Sequence, residues 1–219
     1  MNPQVNLSQR HLFALIALTL LVAATGCSDR DPASLPVARG DTNPVVFHDA
    51  ADTNDFYWQP FFNTHYKALT IDEVWAYGGL ASDGARSLKF NISPQGSAQG
   101  LYTGGVLTAI SGRDLADYNA LTFYARSSIP VTLDVAGFGN DNSGESLYEA
   151  GRGGVALTRE WTFVVVPIPD SSKLLGERGL FTFAESNEDA DGAGYDIWVD
   201  EIQFVNMSNI EVFRPIMTS

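Results

Sequence analysis

The chain has 219 residues and a formal net charge of -13, with 45% hydrophobic and 18% charged residues. That balance excludes a disordered chain, which has too few apolar residues to build a core. The acidic excess argues against nucleic acid as a partner and against a basic patch for a membrane surface.

Residues 1–26 read as a targeting segment. Arg10 and His11 form a short polar front, and Leu12 to Ala24 is an apolar run too short for a comfortable membrane span. Ala24, Thr25 and Gly26 then lead to Cys27, the chain's single cysteine. This stretch resembles the bacterial lipoprotein signal, in which the cut precedes a cysteine that becomes lipidated. Lipidation of Cys27 explains a lone thiol in an exported protein; an ordinary signal peptide with a leftover thiol is the alternative. Ser28 rather than Asp after the cysteine resembles the sorting pattern for the outer membrane. The expected location is therefore the bacterial outer membrane, through a lipid anchor. Residues 28–44 are polar with three prolines and no apolar period. With Cys27 they form a 27–44 tether. One cysteine allows no internal disulfide, so the core must hold the fold unaided or with a metal.

The folded part is expected over 45–206, with 207–219 as a short tail. Val45–Phe47 opens it. A loop from His48 to Asp55 follows, rich in oxygen ligands that include Asp49 and Asp52. Phe56, Tyr57, Trp58, Phe61, Phe62 and Tyr66 then crowd together, as core, lid or stacking platform. Val74 to Tyr77, with Trp75, is a short strand-like piece closed by Gly78 and Gly79. Leu88, Phe90 and Ile92 alternate with polar residues, the mark of a half-buried strand. Gly100 to Ile110 is a further strand, with Gly104 and Gly105 suited to a bulge or a close backbone approach.

The stretch from Asp114 to Asn140 holds two alternating runs. Leu121, Phe123 and Ala125 fall on one side of the first, and Thr122, Tyr124 and Arg126 on the other. Val131, Leu133 and Val135 share a side in the second, with Asp134 opposite. Ser127, Ser128 and Pro130 supply a turn between them. One sheet face would then carry Tyr124, Arg126 and Asp134: an aromatic, a fork of donors and a carboxylate, a set that grips a sugar. A solvated outer face would carry the same residues. Gly137 to Gly144, with Asn140, reads as a mobile polar loop. Val155–Leu157, Phe163–Ile168, Leu180–Phe183 and Ile197–Val205 are strands, and Leu174-Leu175 one helical turn. Asn187, Asp189, Asp191 and Gly192 match the first half of an EF-hand loop. Its twelfth position would be Trp198, not Glu, so the segment reads as a solvated turn. No window keeps a helical period. Short strands with turn chemistry between them predict an all-β fold, a β-sandwich or jelly roll.

The pieces DLADYNALTFYARSS, VTLDVAGFGND, WTFVVVPIPDSSKLLGERGLFTFAE and IWVDEIQF resemble a galactose-binding-like β-jelly-roll carbohydrate-binding module. Such modules occur in bacterial glucanases and polysaccharide-utilisation lipoproteins. The resemblance implies a sandwich whose concave face holds glycan. It also implies a structural calcium joining the opening strand's loop to the closing strand's Asp, here Asp49, Asp52 and Asp200. Asp200 interrupts an otherwise apolar run, and a lone carboxylate there wants a partner or a cation; capping backbone N–H groups is the alternative. Tyr124, Arg126 and Asp134 are the leading sugar contacts, with Trp58, Trp75, Tyr77 and Asn140 outlying.

Catalysis finds little support in the residues. A glycosidase needs two carboxylates flanking a bond, and Asp72, Glu73, Glu145 and Glu149 are unassigned. The alternating acids of the family-sixteen glucanases are absent. His48 and His65 have no Ser or Cys nucleophile motif beside them. Three readings follow. The first is non-catalytic polysaccharide binding, of a β-glucan such as laminarin, by an anchored lipoprotein serving partner glycanases or transporters. The second is a glycoside hydrolase or a fragment of one. The third is a scaffold for protein interaction.

Overall fold

The structure, a computed structural model, describes residues 41–48, 56–62, 68–72, 86–98, 100–139, 146 and 148–209. The expected sites at Cys27, Asp49, Asp52, Trp75, Tyr77 and Asn140 lie outside the described residues. So does the strand-like piece at 74–77.

The chain forms thirteen described strands: β1 (Val45–Phe47), β2 (Phe56–Pro60), β3 (Leu69–Asp72), β4 (Ser87–Ile92), β5 (Tyr102–Arg113), β6 (Ala120–Ser127), β7 (Val131–Leu133), β8 (Val135–Phe138), β9 (Ala150–Arg152), β10 (Val155–Leu157), β11 (Thr162–Pro167), β12 (Glu177–Ser186) and β13 (Tyr195–Val205). One sheet runs β11-β6-β13-β4-β3, with β1 also on β13; a second runs β2-β5-β12-β8-β9; β10 and β7 form a separate pair. All strand pairs are antiparallel. The chain crosses repeatedly between the sheets: β4, β6, β11 and β13 lie in the six-stranded sheet, β5 and β12 in the five-stranded one. This is the expected all-β sandwich of jelly-roll type.

Alternation decides which side chains meet between the sheets. Leu121, Phe123 and Ala125 point inward from β6, Phe90 from β4, Ile197 and Val199 from β13. Phe181 and Phe183 answer them from β12. Phe90 stacks on Phe183 at 4.1 Å between ring centroids and tilts against Phe181 at 6.4 Å. Phe123 meets Phe181 edge-on at 5.3 Å. Trp58 of β2 closes the layer, edge-on to Phe90 at 5.6 Å. Gly105, under that indole, has no room for a side chain: a Cβ would fall 2.6 Å from the ring.

The entry of the chain is pinned by a buried cation. Arg113 Nη1 donates to the carbonyls of Asn43 (3.1 Å) and Val45 (2.6 Å). β1 then adds to β13 beside the bulge there. Glu201 sits at φ 51, and the register against β6 shifts between Asp200 and Gln203.

Three expectations are corrected. The runs around Tyr124 and Asp134 do not share a sheet: β6 belongs to the six-stranded sheet, whereas β7 pairs with β10 and β8 with β12. Val135 does not point inward with Val131 and Leu133; it is exposed, and Ala136 and Phe138 are buried. The side-chain phase flips at Asp134, which lies between two strands rather than inside one. The helical turn falls at Ser171–Lys173, a 3-10 turn, just before Leu174. The acidic segment forms a turn over Glu188–Ala190, followed by Asp191 at φ 51.

Phe90 touches three other rings, so its removal should leave a hole that neighbouring strands cannot close. Phe90→Ala is expected to lower unfolding free energy by about 3–5 kcal/mol, measured by chemical denaturation.

Candidate functional site

The two sheets present different outer faces. On the six-stranded sheet, cross-strand register lines up Arg126 with Trp198, and Trp198 with Lys89. Trp161, just before β11, completes the row. The Arg126 guanidinium lies 5.2 Å from the Trp161 ring and 4.6 Å from the Trp198 ring; Lys89 Nζ lies 5.3 Å from the Trp198 ring. Arg126 and Lys89 come from strands on opposite sides of β13, so Trp198 stands between two cations and Arg126 between two indoles. Lys89 also pairs with Asp196 at 3.0 Å, and Asn91 Nδ2 donates to the same carboxylate at 2.9 Å. One row along, Tyr124 pairs in register with Phe163 and leans on its ring at 5.1 Å.

Tyr124 and Arg126 do therefore share a face, as the alternation implied. That face also holds Trp161, Phe163, Trp198 and Lys89, which sequence reasoning did not assign. A signal was present: Trp198 alternates with Ile197 and Val199, and Trp161 is in phase with Phe163. Packing decides what these rings can do. A sugar stacks on an open aromatic face. In this ladder, Trp198 has a cation on each side and Tyr124 has Phe163. These rings contact one another side by side, while Phe163 is exposed and Tyr124, Trp161 and Trp198 are half-buried.

The expected partner Asp134 is elsewhere, on the five-stranded sheet's side. Its Oδ2 accepts from Ser186 N–H (2.7 Å) and its own N–H donates to Glu185 Oε2 (2.8 Å). Trp58 is likewise not on the Tyr124 face, since it packs into the inter-sheet layer. Asp200 lies opposite Tyr124 in register and is fully buried. Its Oδ1 accepts from Glu201 N–H at 2.7 Å, inside the bulge. Calcium takes roughly six to eight oxygens. Among the described residues no group of three or more His, Cys, Asp or Glu converges, and the expected co-ligands Asp49 and Asp52 lie outside the described residues.

The five-stranded sheet is hollow outside. Register sets Gln59, Val106, Thr182, Gly137 and Gly151 in one row, and Gly104, Ala184 and Val135 in the next. Small residues leave a groove of about 340 Å³ lined by Phe61, Val135, Gly137, Glu149, Thr182 and Ala184, among others. Gly104 makes the wall possible. A Cβ there would fall 2.9 Å from the Phe61 ring and 3.1 Å from Ala184 Cβ, so only glycine lets Phe61 lie down on the strand. Phe62, exposed beside it, meets Tyr102 edge-on at 5.6 Å. The groove thus has an aromatic wall, a flat apolar floor, a hydroxyl and a carboxylate. Sequence periodicity could not mark it, because its floor is defined by side chains that are missing.

The molecule is a β-sandwich of jelly-roll type. No family model matches the chain, and no curated protein does. Solved structures with a similar chain path include carbohydrate-binding modules. A family 30 module is 17% identical, with a TM-score of 0.46, covering 81% of this chain and 90% of that one. The family 30 module of a cellulosomal cellulase of Clostridium thermocellum is 16% identical, with a TM-score of 0.44, covering 78% and 96%. The family 11 module of another cellulosomal cellulase of that organism is 10% identical, with a TM-score of 0.42, covering 76% and 96%.

If the ladder is internal packing, Arg126→Ala should cost about 1–2 kcal/mol of stability, from two cation–π contacts. It should leave polysaccharide affinity unchanged. Paired denaturation and calorimetric titration check both. Tyr124→Ala is expected to behave the same way.

Proposed function

We propose that the chain binds polysaccharide without cleaving it, in the groove on the outer face of the five-stranded sheet. The observation that carries this reading is the Phe61 ring laid against a floor of glycine and alanine, with Thr182 and Glu149 at hand. Sugars offer apolar C–H faces and polar rims, and such a groove meets both. Its volume is within the range of small-ligand clefts. The carboxylate in the described lining is Glu149.

The ligand class proposed is a β-glucan such as laminarin, on the strength of the sequence resemblance. Lipidation at Cys27 with the 27–44 tether would hold the module at the outer membrane. Anchoring would raise the effective concentration of glycan for partner glycanases or transporters. A calcium at Asp200 with Asp49 and Asp52 is part of the same proposal.

Calorimetric titration against a panel of polysaccharides including laminarin tests the function. Binding to one glucan class, weakened about tenfold by Phe61→Ala, is the expected result. Silence across the panel from folded protein would overturn it and leave the scaffold reading. Release of sugar from laminarin by the pure protein would favour the hydrolase instead. For calcium, the expected result is a melting temperature raised by the ion and lowered by a chelator, with no response in Asp200→Asn. A parent protein indifferent to both removes the metal.

A further inference from the structure

Beside the groove, where β7 hands over to β8, three elements bring acidic groups together. Glu185 of β12 is buried. Its neighbour Ala184 and the Val135 next to Asp134 both line the groove. Asp134 N–H donates to Glu185 Oε2, and Ser186 N–H donates to Asp134 Oδ2. Asp189, from the turn at 188–190, accepts from Thr132 N–H. Tyr195 Oη of β13 lies 2.8 Å from Glu185 Oε1 and 2.7 Å from the Ser186 carbonyl oxygen.

A phenol has one proton, and it cannot donate to both oxygens. A carboxylic acid at Glu185 resolves the geometry. Glu185 Oε1–H donates to Tyr195 Oη, Tyr195 donates to the Ser186 carbonyl, and Oε2 accepts from Asp134 N–H. An ionised Glu185 would be a buried anion beside two more carboxylates. Among the described residues, the ionisable groups that face it are Asp134 from the β7–β8 corner, Asp189 from the turn and Tyr195 from β13.

We propose that Glu185, Tyr195 and Asp134 form a proton-operated latch. The protonated carboxyl holds the β7–β8 corner, and with it the Val135 side of the groove, in the shape described. Loss of the proton loosens the corner and weakens ligand binding. The ligand half of this rests on the polysaccharide reading; the latch itself does not.

Electrostatics agree with the geometry. Burial, the largest cause, pushes the Glu185 carboxyl up to about 7; the Asp134 N–H and Tyr195 hydroxyl pull it down, and the charges of Asp134 and Asp189 push it further up. Burial and Glu185 hold the Tyr195 hydroxyl well above the ordinary tyrosine range, so it stays protonated. The native state then keeps the proton to higher pH than the unfolded chain, whose glutamates titrate near 4.5. The stability from this group is full below that value, declines as pH rises toward about 7, and levels off above.

Thermal unfolding of the full chain against pH, for wild type and Glu185→Gln, is the test. Glutamine is the neutral isostere: its amide N–H donates to Tyr195 Oη and its oxygen accepts from Asp134 N–H at every pH. The melting temperature of wild type should fall relative to Glu185→Gln between pH 4.5 and 7, and the gap should then stay constant. Laminarin affinity by calorimetry should be about tenfold weaker at about pH 8 than at about pH 6 in wild type, and flat in the variant. Parallel melting profiles overturn the latch. So does the absence, near pH 6, of an infrared carbonyl band from a buried protonated carboxyl in wild type, a measurement that needs no variant. A pH-dependent gap with no laminarin binding keeps the latch and sinks the reading of the groove. A pH-dependent gap with pH-independent affinity overturns the coupling between them.

Discussion

The aromatic layer between the sheets is what the rest of the molecule depends on. With a single cysteine in the chain, no internal disulfide ties the two sheets together. Phe90, Phe123, Phe181, Phe183 and Trp58 fill the gap by stacked and edge-on contacts. Such pairs add about 0.5–1.5 kcal/mol each beyond the area they bury. Burial of large side chains, not hydrogen bonding, is what brings the layers together; the strand ladders then fix their register. The glycine at 105 follows from the same layer, because the Trp58 indole occupies the space over it.

With the inner faces committed, function is left to the outer ones, and the sheets diverge there. The six-stranded sheet spends its large outer residues on one another. Cations and indoles alternate across strands β11, β6, β13 and β4, with Trp198 between Arg126 and Lys89 and Trp161 against Arg126. The five-stranded sheet does the reverse. Gly104, Gly137, Gly151 and Ala184 keep its centre low, and Phe61 overhangs it. A surface that binds must leave contacts unmade in the free state. By that criterion the proposed binding site falls on the hollow sheet, although the crowded sheet looks more like a sugar platform in a list of residue types.

Much of this fold was legible. β4, β6, β10, β11 and β13 each show period two, and their inward residues are the ones alternation selects. β2 was not recognised as a strand because its inward Trp58 sits among aromatics that have no period. β9 is three residues of Ala, Gly and Arg, with nothing apolar to alternate. The surroundings of Tyr124 and Arg126 were hidden for a related reason. Tyr124 and Arg126 were correctly placed on one face, but whether a face is open depends on the neighbouring strands. Trp198 comes from 72 residues further along the chain than Arg126, and no local window joins them.

Asp134 shows how one residue can mislead a periodic reading and also make the site. Continued alternation would send Val135 into the core with Val131 and Leu133. Instead Asp134 leaves the ladder. Its N–H goes to Glu185 and its carboxylate takes Ser186 N–H, so two backbone N–H groups, its own and that of Ser186, are satisfied by side-chain carboxylates. The break turns Val135 outward to the groove and returns Ala136 and Phe138 to the core. A carboxylate in a run of alternating residues looked like a ligand contact on a continuous strand. It is the hinge between two short strands, and because its partner is a buried acid, the shape of the groove wall and the charge state of Glu185 are decided at the same corner.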